Sequence, residues 1–131
     1  MSKYHKAIRS REDCANAMWD WGFLKGDFPR NILPMDIDGM VEIEGRFLAI
    51  EAKPIGPGGK MPYGQRLAYE RLAKKEDFTV VVIYGDPLSY DIQYMKVLGK
   101  HKKRVACDIE YFREFCRQWG EWATDNPSAV E

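Results

Sequence analysis

Residues 34–53 read PMDIDGMVEIEGRFLAIEAK, and the reading of this stretch decides the fold. Two runs of β-type sequence, 37–43 and 46–52, flank Glu44-Gly45, which predicts a hairpin with a tight two-residue turn. Ile43 then faces Arg46. Counting outward, Asp38 falls opposite Glu51, and Asp36 falls opposite Lys53. Side chains alternate along a strand, so one face is expected to carry Asp36, Asp38, Met40, Ala49, Glu51 and Lys53. The other carries Ile37, Val41, Ile43, Leu48, Ile50 and Ala52, and is the predicted core face.

Outward from the hairpin, 6–21 has Ala7, Cys14, Ala17, Met18 and Trp21 near helical spacing and predicts an amphipathic helix. A loop with Gly22, Gly26 and Pro29 joins it to the first strand. After Lys53 a Gly/Pro-rich loop covers 54–62, and 64–75 predicts a second helix. The run 78–84 is β-branched and almost continuously apolar, as suits a central strand buried on both faces. Strands are also expected over 92–98 and 105–107. Asp108 is a plausible N-cap for a last helix ending near Trp122, with a frayed tail after Asn126. The order α-β-β-α-β-(β-β)-α implies an α/β fold: a mixed central sheet flanked by helices, in one domain over 1–131 with its core at about 6–84.

The chain has 131 residues, 45% of them hydrophobic and 13% aromatic, which is enough for one ordinary core. Its formal net charge is zero, so any case for nucleic-acid binding rests on local patches and not on bulk charge. Cys14, Cys107 and Cys116 have no paired spacing, which argues against a disulfide framework or a structural zinc site. No apolar run reaches membrane-spanning length and no signal-peptide core opens the chain. A cytoplasmic protein with reduced thiols is expected.

The hairpin's charged face carries the chemistry. Directly opposed strand residues have Cβ atoms about 4.5–5.5 Å apart, and like charges there repel. Asp38 facing Glu51 therefore calls for a compensating cation or a raised pKa on one acid. Mg²⁺ suits two hard oxygen donors, keeps several waters and accepts phosphate oxygens. Such a site can polarise a phosphodiester and stabilise its leaving oxygen. Lys53, two residues beyond Glu51, would bring an ammonium to the same phosphate. The bland alternative is an ordinary solvated hairpin face.

The D-x(n)-E-x-K arrangement of Asp38, Glu51 and Lys53 on a hairpin between helices resembles the PD-(D/E)-x-K nuclease superfamily, over about residues 6–84. Asp36, close to Pro34, is a second candidate for the first acidic position; the register with Glu51 favours Asp38. Gln65 and Tyr69, one helical turn apart, resemble the Q-x-x-x-Y element of the RecB-like and lambda-exonuclease-like branch. That resemblance implies that Gln65 supports the catalytic site and that Tyr69 lies near substrate. It also implies a metal-reaching acid on the first helix, for which Glu12 is the candidate and Asp13 and Asp20 are competitors. The cofactor implied is Mg²⁺ or Mn²⁺, and the substrate DNA.

Basic residues cluster at Lys3, Lys6, Arg9 and Arg11, at Arg66, Arg71, Lys74 and Lys75, and at Lys100, Lys102, Lys103 and Arg104. The first two clusters sit on helices expected to flank the hairpin, where phosphate contacts are needed. Lys60, in the loop after Lys53, is a further candidate phosphate contact unless that loop is a plain connector, and Arg66 joins it as a substrate-binding candidate. His5 and His101 are isolated, and Trp19, Trp21, Trp119 and Trp122 read as core or interface residues. No separate sequence-reading module is visible. The expectation is a small, phage-type stand-alone deoxyribonuclease, an endonuclease before an exonuclease or junction resolvase, with a homodimer among the open arrangements. The rival readings are a non-catalytic nucleic-acid- or protein-binding module on the same fold, or a subunit of a larger nuclease complex.

Overall fold

A computed structural model describes residues 18–56 and 60–129. The chain divides into two units, Met1–Asp36 and Ile37–Glu131. Among the described residues of the first are two 3-10 turns, Trp21–Leu24 and Pro29–Asn31. Asp20 caps the earlier one by accepting from the Gly22 amide at 2.9 Å. The rings of Trp19, Trp21 and Phe23 lie within 6.0–6.3 Å of one another. Most of the predicted first helix lies outside the described residues, and its described end, from 18 onward, is not α-helical.

The second unit is a five-stranded mixed sheet with a helix on each face. Its elements are β1 (Gly39–Ile43), β2 (Arg46–Lys53), α1 (Tyr63–Ala73), β3 (Phe78–Asp86), β4 (Asp91–Val97), β5 (Val105–Ala106) and α2 (Ile109–Asp125). The strands lie in sequence order, β1-β2-β3-β4-β5. Only β2 and β3 run parallel; the other three pairs are antiparallel. Antiparallel neighbours can be joined by tight turns, whereas a parallel pair needs a crossover. Helix α1 is that crossover. The fold is α/β, as expected.

The hairpin register is the expected one, with Ile43 opposite Arg46 and Gly39 opposite Ile50. Its turn residues Glu44 and Gly45 have φ of 52° and 80°, the left-handed pair that matches strand twist. Gly45 is needed twice over, because a Cβ there would lie 2.8 Å from that of Ser128. Ser128 is held by its amide on the Glu44 carbonyl at 2.9 Å and by its hydroxyl on Asp77 at 2.8 Å. Arg46 donates to the Asn126 carbonyl at 2.8 Å and to Asp77 at 3.1 Å. The frayed tail expected after Asn126 is therefore corrected as far as Ser128, since these bonds tie it to the hairpin turn.

Both faces of the sheet are covered, as flanking helices imply, but in the hairpin, where one core face was expected, Ala49 and Glu51 of the other face are buried too. Leu48, Val81, Met95 and Val97 pack under α2 with Trp119 and Ala123. Ala49 and Val80 pack on the opposite face beneath Tyr69 of α1, with Leu72 beside them. β3 is central, with Val80, Val81 and Val82 each no more than 1% exposed. β1 is an edge strand, so Val41 stays 40% exposed although it lies on the predicted core face. Asp108 caps α2 as expected, accepting from the Tyr111 amide at 2.8 Å. His101 accepts the Val97 amide through Nδ1 at 3.0 Å, a turn-holding role. No helix among the described residues is long and apolar enough to cross a membrane.

Candidate active site

β2 delivers Glu51 and Lys53 to the face covered by α1, because they follow Ala49 at alternate positions. Glu51 is 3% exposed, the sole buried charged side chain among the described residues. A carboxylate this deep needs partners. Tyr69, itself fully buried, donates its hydroxyl to Glu51 Oε2 at 2.5 Å. On the other oxygen, Lys53 Nζ lies 3.6 Å from Oε1. The ammonium also donates to Gln65 Oε1 at 3.0 Å. Residues 65 and 69, one helical turn apart, thus hold the lysine and the glutamate separately.

Asp38 precedes β1 and reaches across the hairpin, where its Oδ2 accepts from the Ala52 amide at 2.8 Å. Its carboxyl also bears on the protonation of Glu51. Burial is the largest cause that raises the Glu51 pKa; the bond from Tyr69 opposes it, the hydrogen bond and charge of Asp38 add to it, and the Lys53 charge opposes it. The Tyr69 hydroxyl is pushed up as well, first by burial and then by its bond to Glu51 and the two acidic charges. Tyr69 is a proton donor that stays protonated. The site therefore holds two carboxyls against one ammonium, and burial makes the charged form of Glu51 harder to hold than in water.

Asp38 and Glu51 form a pair of hard oxygen donors; among the described residues no group of three or more His, Cys, Asp or Glu side chains is placed to hold a metal. A pair fits Mg²⁺ or Mn²⁺, which binds through one or two carboxylates with waters and phosphates completing its shell. Of the further acids, Glu12 and Asp13 lie outside the described residues. Asp20 is engaged as the cap described above. Asp36 belongs to the first unit, where its Oδ1 accepts from Trp21 Nε1 at 2.9 Å; the β1–β2 ladder ends at Gly39 and Ile50 and does not extend to it.

Asp38, Glu51, Lys53, Gln65 and Tyr69 are brought together. Tyr69 is 1% exposed, and its contact is with Glu51. Lys60 and Arg66 instead line a neighbouring cleft with Lys96 and Arg104. Lys96 was not a candidate from the sequence. The signal for it is its alternation with buried Met95 and Val97, which sends it to the other face of β4. Lys3, Lys6, Arg9 and Arg11 lie outside the described residues. No family model, curated protein or solved structure matches this chain.

Proposed function

We propose that the chain is a metal-dependent nuclease that hydrolyses DNA phosphodiester bonds at Asp38, Glu51 and Lys53. The observation that carries the reading is the meeting of two carboxyls with a lysine that Gln65 holds in place. Two like-charged groups at such range are costly in a protein interior, and the arrangement becomes favourable once a cation joins them. Mg²⁺ or Mn²⁺ bound there would supply Lewis-acid polarisation of the phosphate and neutralise its charge.

The protein's own groups do the rest. Asp38 is anchored by a backbone amide, so it does not swing away when Glu51 ionises. Tyr69 fixes the Glu51 carboxyl and leaves Oε1 facing Lys53. The Lys53 ammonium, held to Gln65, is placed to stabilise charge that grows on phosphate oxygens. Because this positioning exists before substrate arrives, little reorganisation is needed at the moment of reaction. A cytoplasmic setting and a phage-type origin are parts of the same proposal.

Lys53→Met tests it, since the change keeps much of the stem and removes the charge. The single-turnover rate at saturating DNA is expected to fall by roughly 10²–10³, while the dissociation constant rises only modestly. A mutant that cleaves at the wild-type rate once saturated would overturn the role of Lys53. A wild type that binds linear, nicked, branched and single-stranded DNA but cleaves none with Mg²⁺ or Mn²⁺ would favour the binding-module reading.

A further inference from the structure

Beside the carboxyl pair, on the same face of the sheet, lies a cleft of about 460 Å³. Its charged lining is Lys60, Arg66, Lys96 and Arg104 against one carboxylate, Glu70. Glu70 is 3.8 Å from Arg66, and both are half exposed, which makes this a weak pair. Among the described residues no carboxylate pairs with Lys60, Lys96 or Arg104. In a chain of zero net charge, gathering four cations into one concavity is a local decision of the fold.

The cleft also carries one aromatic ring. Tyr84 lines it, and the Arg104 guanidinium carbon sits 4.2 Å from the Tyr84 ring centroid and 5.8 Å from that of Tyr94. Arg104 is thus held by rings and not by an acid, which leaves its charge available. Its position relative to the site follows from strand register. Glu51 pairs with Val82 and Val82 with Lys96, so Lys96 lies two strands from Glu51 on one cross-sheet row, roughly 10 Å away. Lys53, Tyr84 and Tyr94 form the next row.

We propose that this cleft binds a single nucleic-acid strand next to the bond presented to Asp38 and Glu51, with phosphates on Lys96, Lys60 and Arg66 and a base against the Arg104–Tyr84 pair. The inference rests on the nuclease reading of the neighbouring pair. A basic groove with interleaved aromatic rings suits unpaired strands, whose bases stack on rings and guanidinium groups. Duplex sequence is read by a convex element entering a groove, and a concavity cannot do that. The volume is that of a small-ligand pocket, enough for a nucleotide or two and not for a duplex. The substrate class is therefore DNA with a single-stranded segment: an overhang, a flap or an unpaired end.

The test is fluorescence anisotropy with a labelled single-stranded oligonucleotide, its duplex, and a mononucleotide competitor, in chelator so that no strand is cut. Lys96→Gln and Arg104→Met, singly and together, are compared with Arg113→Met on α2. The expected result is single-strand preference in the wild type and a loss of roughly tenfold or more in the double variant. Its salt dependence should flatten by about 0.7 for each phosphate contact removed, and Arg113→Met should change neither. Lys96→Gln alters a half-buried side chain without an acidic partner and keeps the test readable if the double variant melts early. Affinity and salt slope unchanged in folded variants would overturn the proposal. So would equal binding of duplex, or a mononucleotide that binds as tightly as the strand. A wild type that binds single strands through these residues yet cleaves nothing refutes the nuclease reading and leaves the cleft standing. Cleavage that survives with cleft-independent affinity refutes the cleft alone.

Discussion

The two faces of the sheet are made from the same strands, yet they do opposite things. Under α2 the contacts are apolar: Leu48, Val81, Met95 and Val97 meet Trp119 and Ala123, and the polar atom of Trp119 is satisfied by Thr79 at 3.2 Å. Under α1 the fully buried apolar part is smaller, Ala49, Val80 and the ring of Tyr69 with Leu72 and Leu98 packed beside them, and the same depth is occupied by Glu51. Neighbouring residues of β2 thus serve different ends: Leu48, Ala49 and Ile50 pack in the apolar clusters, while Glu51 carries the proposed site. Moving one residue along a strand changes the face and, with it, the surroundings. One face stores the folding energy that the other spends.

That division predicts separable mutants. The largest effect is expected from Asp38→Asn and Glu51→Gln, each of which should abolish metal-dependent cleavage while leaving the circular dichroism spectrum intact. Because the two carboxyls repel in the absence of metal, the melting temperature should stay level or rise. Calorimetric titration with Mn²⁺ alongside a cleavage assay checks both halves. Retained metal binding and activity would erase the functional distinction between the faces.

Leu48→Ala probes the other side. Leu48 is 1% exposed in the α2 cluster, and removing a buried leucine side chain leaves a cavity costing about 2–5 kcal/mol. Urea denaturation should show that loss, while the rate per folded molecule stays near wild type. A rate that falls with stability held by low temperature would mean that the faces are mechanically coupled.

The smallest effect is a pH dependence. Burial raises the Glu51 pKa above its ordinary value of 4.5, so the folded chain retains a proton that the unfolded chain releases. Where the native state binds more protons, stability falls as pH rises. Below the ordinary value both states are protonated and the penalty is absent; it grows through the window up to the raised value and is then constant. Glu51→Gln cannot ionise. In chelator, the stability of the wild type relative to this mutant should therefore decline from pH 4 upward, as read by denaturant titration. Parallel curves would show that Tyr69 and Lys53 compensate the buried charge fully.

The hairpin could be read from sequence because its determinants are local. A two-residue turn leaves no freedom of register, and a period of two then assigns each side chain to a face. The α2 cap was legible for the same reason, since Asp108 acts on an amide three residues away. What escaped depends on crossovers. That α1 would lie over Ala49 and Glu51, burying the acid and turning Tyr69 inward, follows from the parallel pairing of β2 with β3, which no short window contains. Lys96 reaches the neighbourhood of Glu51 only through β3 as intermediary. The clamp on the tail joins Arg46 to Asn126, 80 positions apart, with no pattern to announce it.

Connectivity has one more consequence. Asp38, Glu51, Lys53, Gln65 and Tyr69 all fall within 38–69, one uninterrupted stretch of a strand-helix crossover, while the α2 face draws on both ends of the second unit. New chain ends opened at the β3–β4 turn, 87–90, would leave that stretch in one piece and relocate β4, β5 and α2 to the other side of it in sequence. The proposed site is thus contained in a single segment of the chain. Insertions and rearrangements downstream of it can reshape the strand-binding cleft, through Lys96 and Arg104, without redrawing the carboxyl pair.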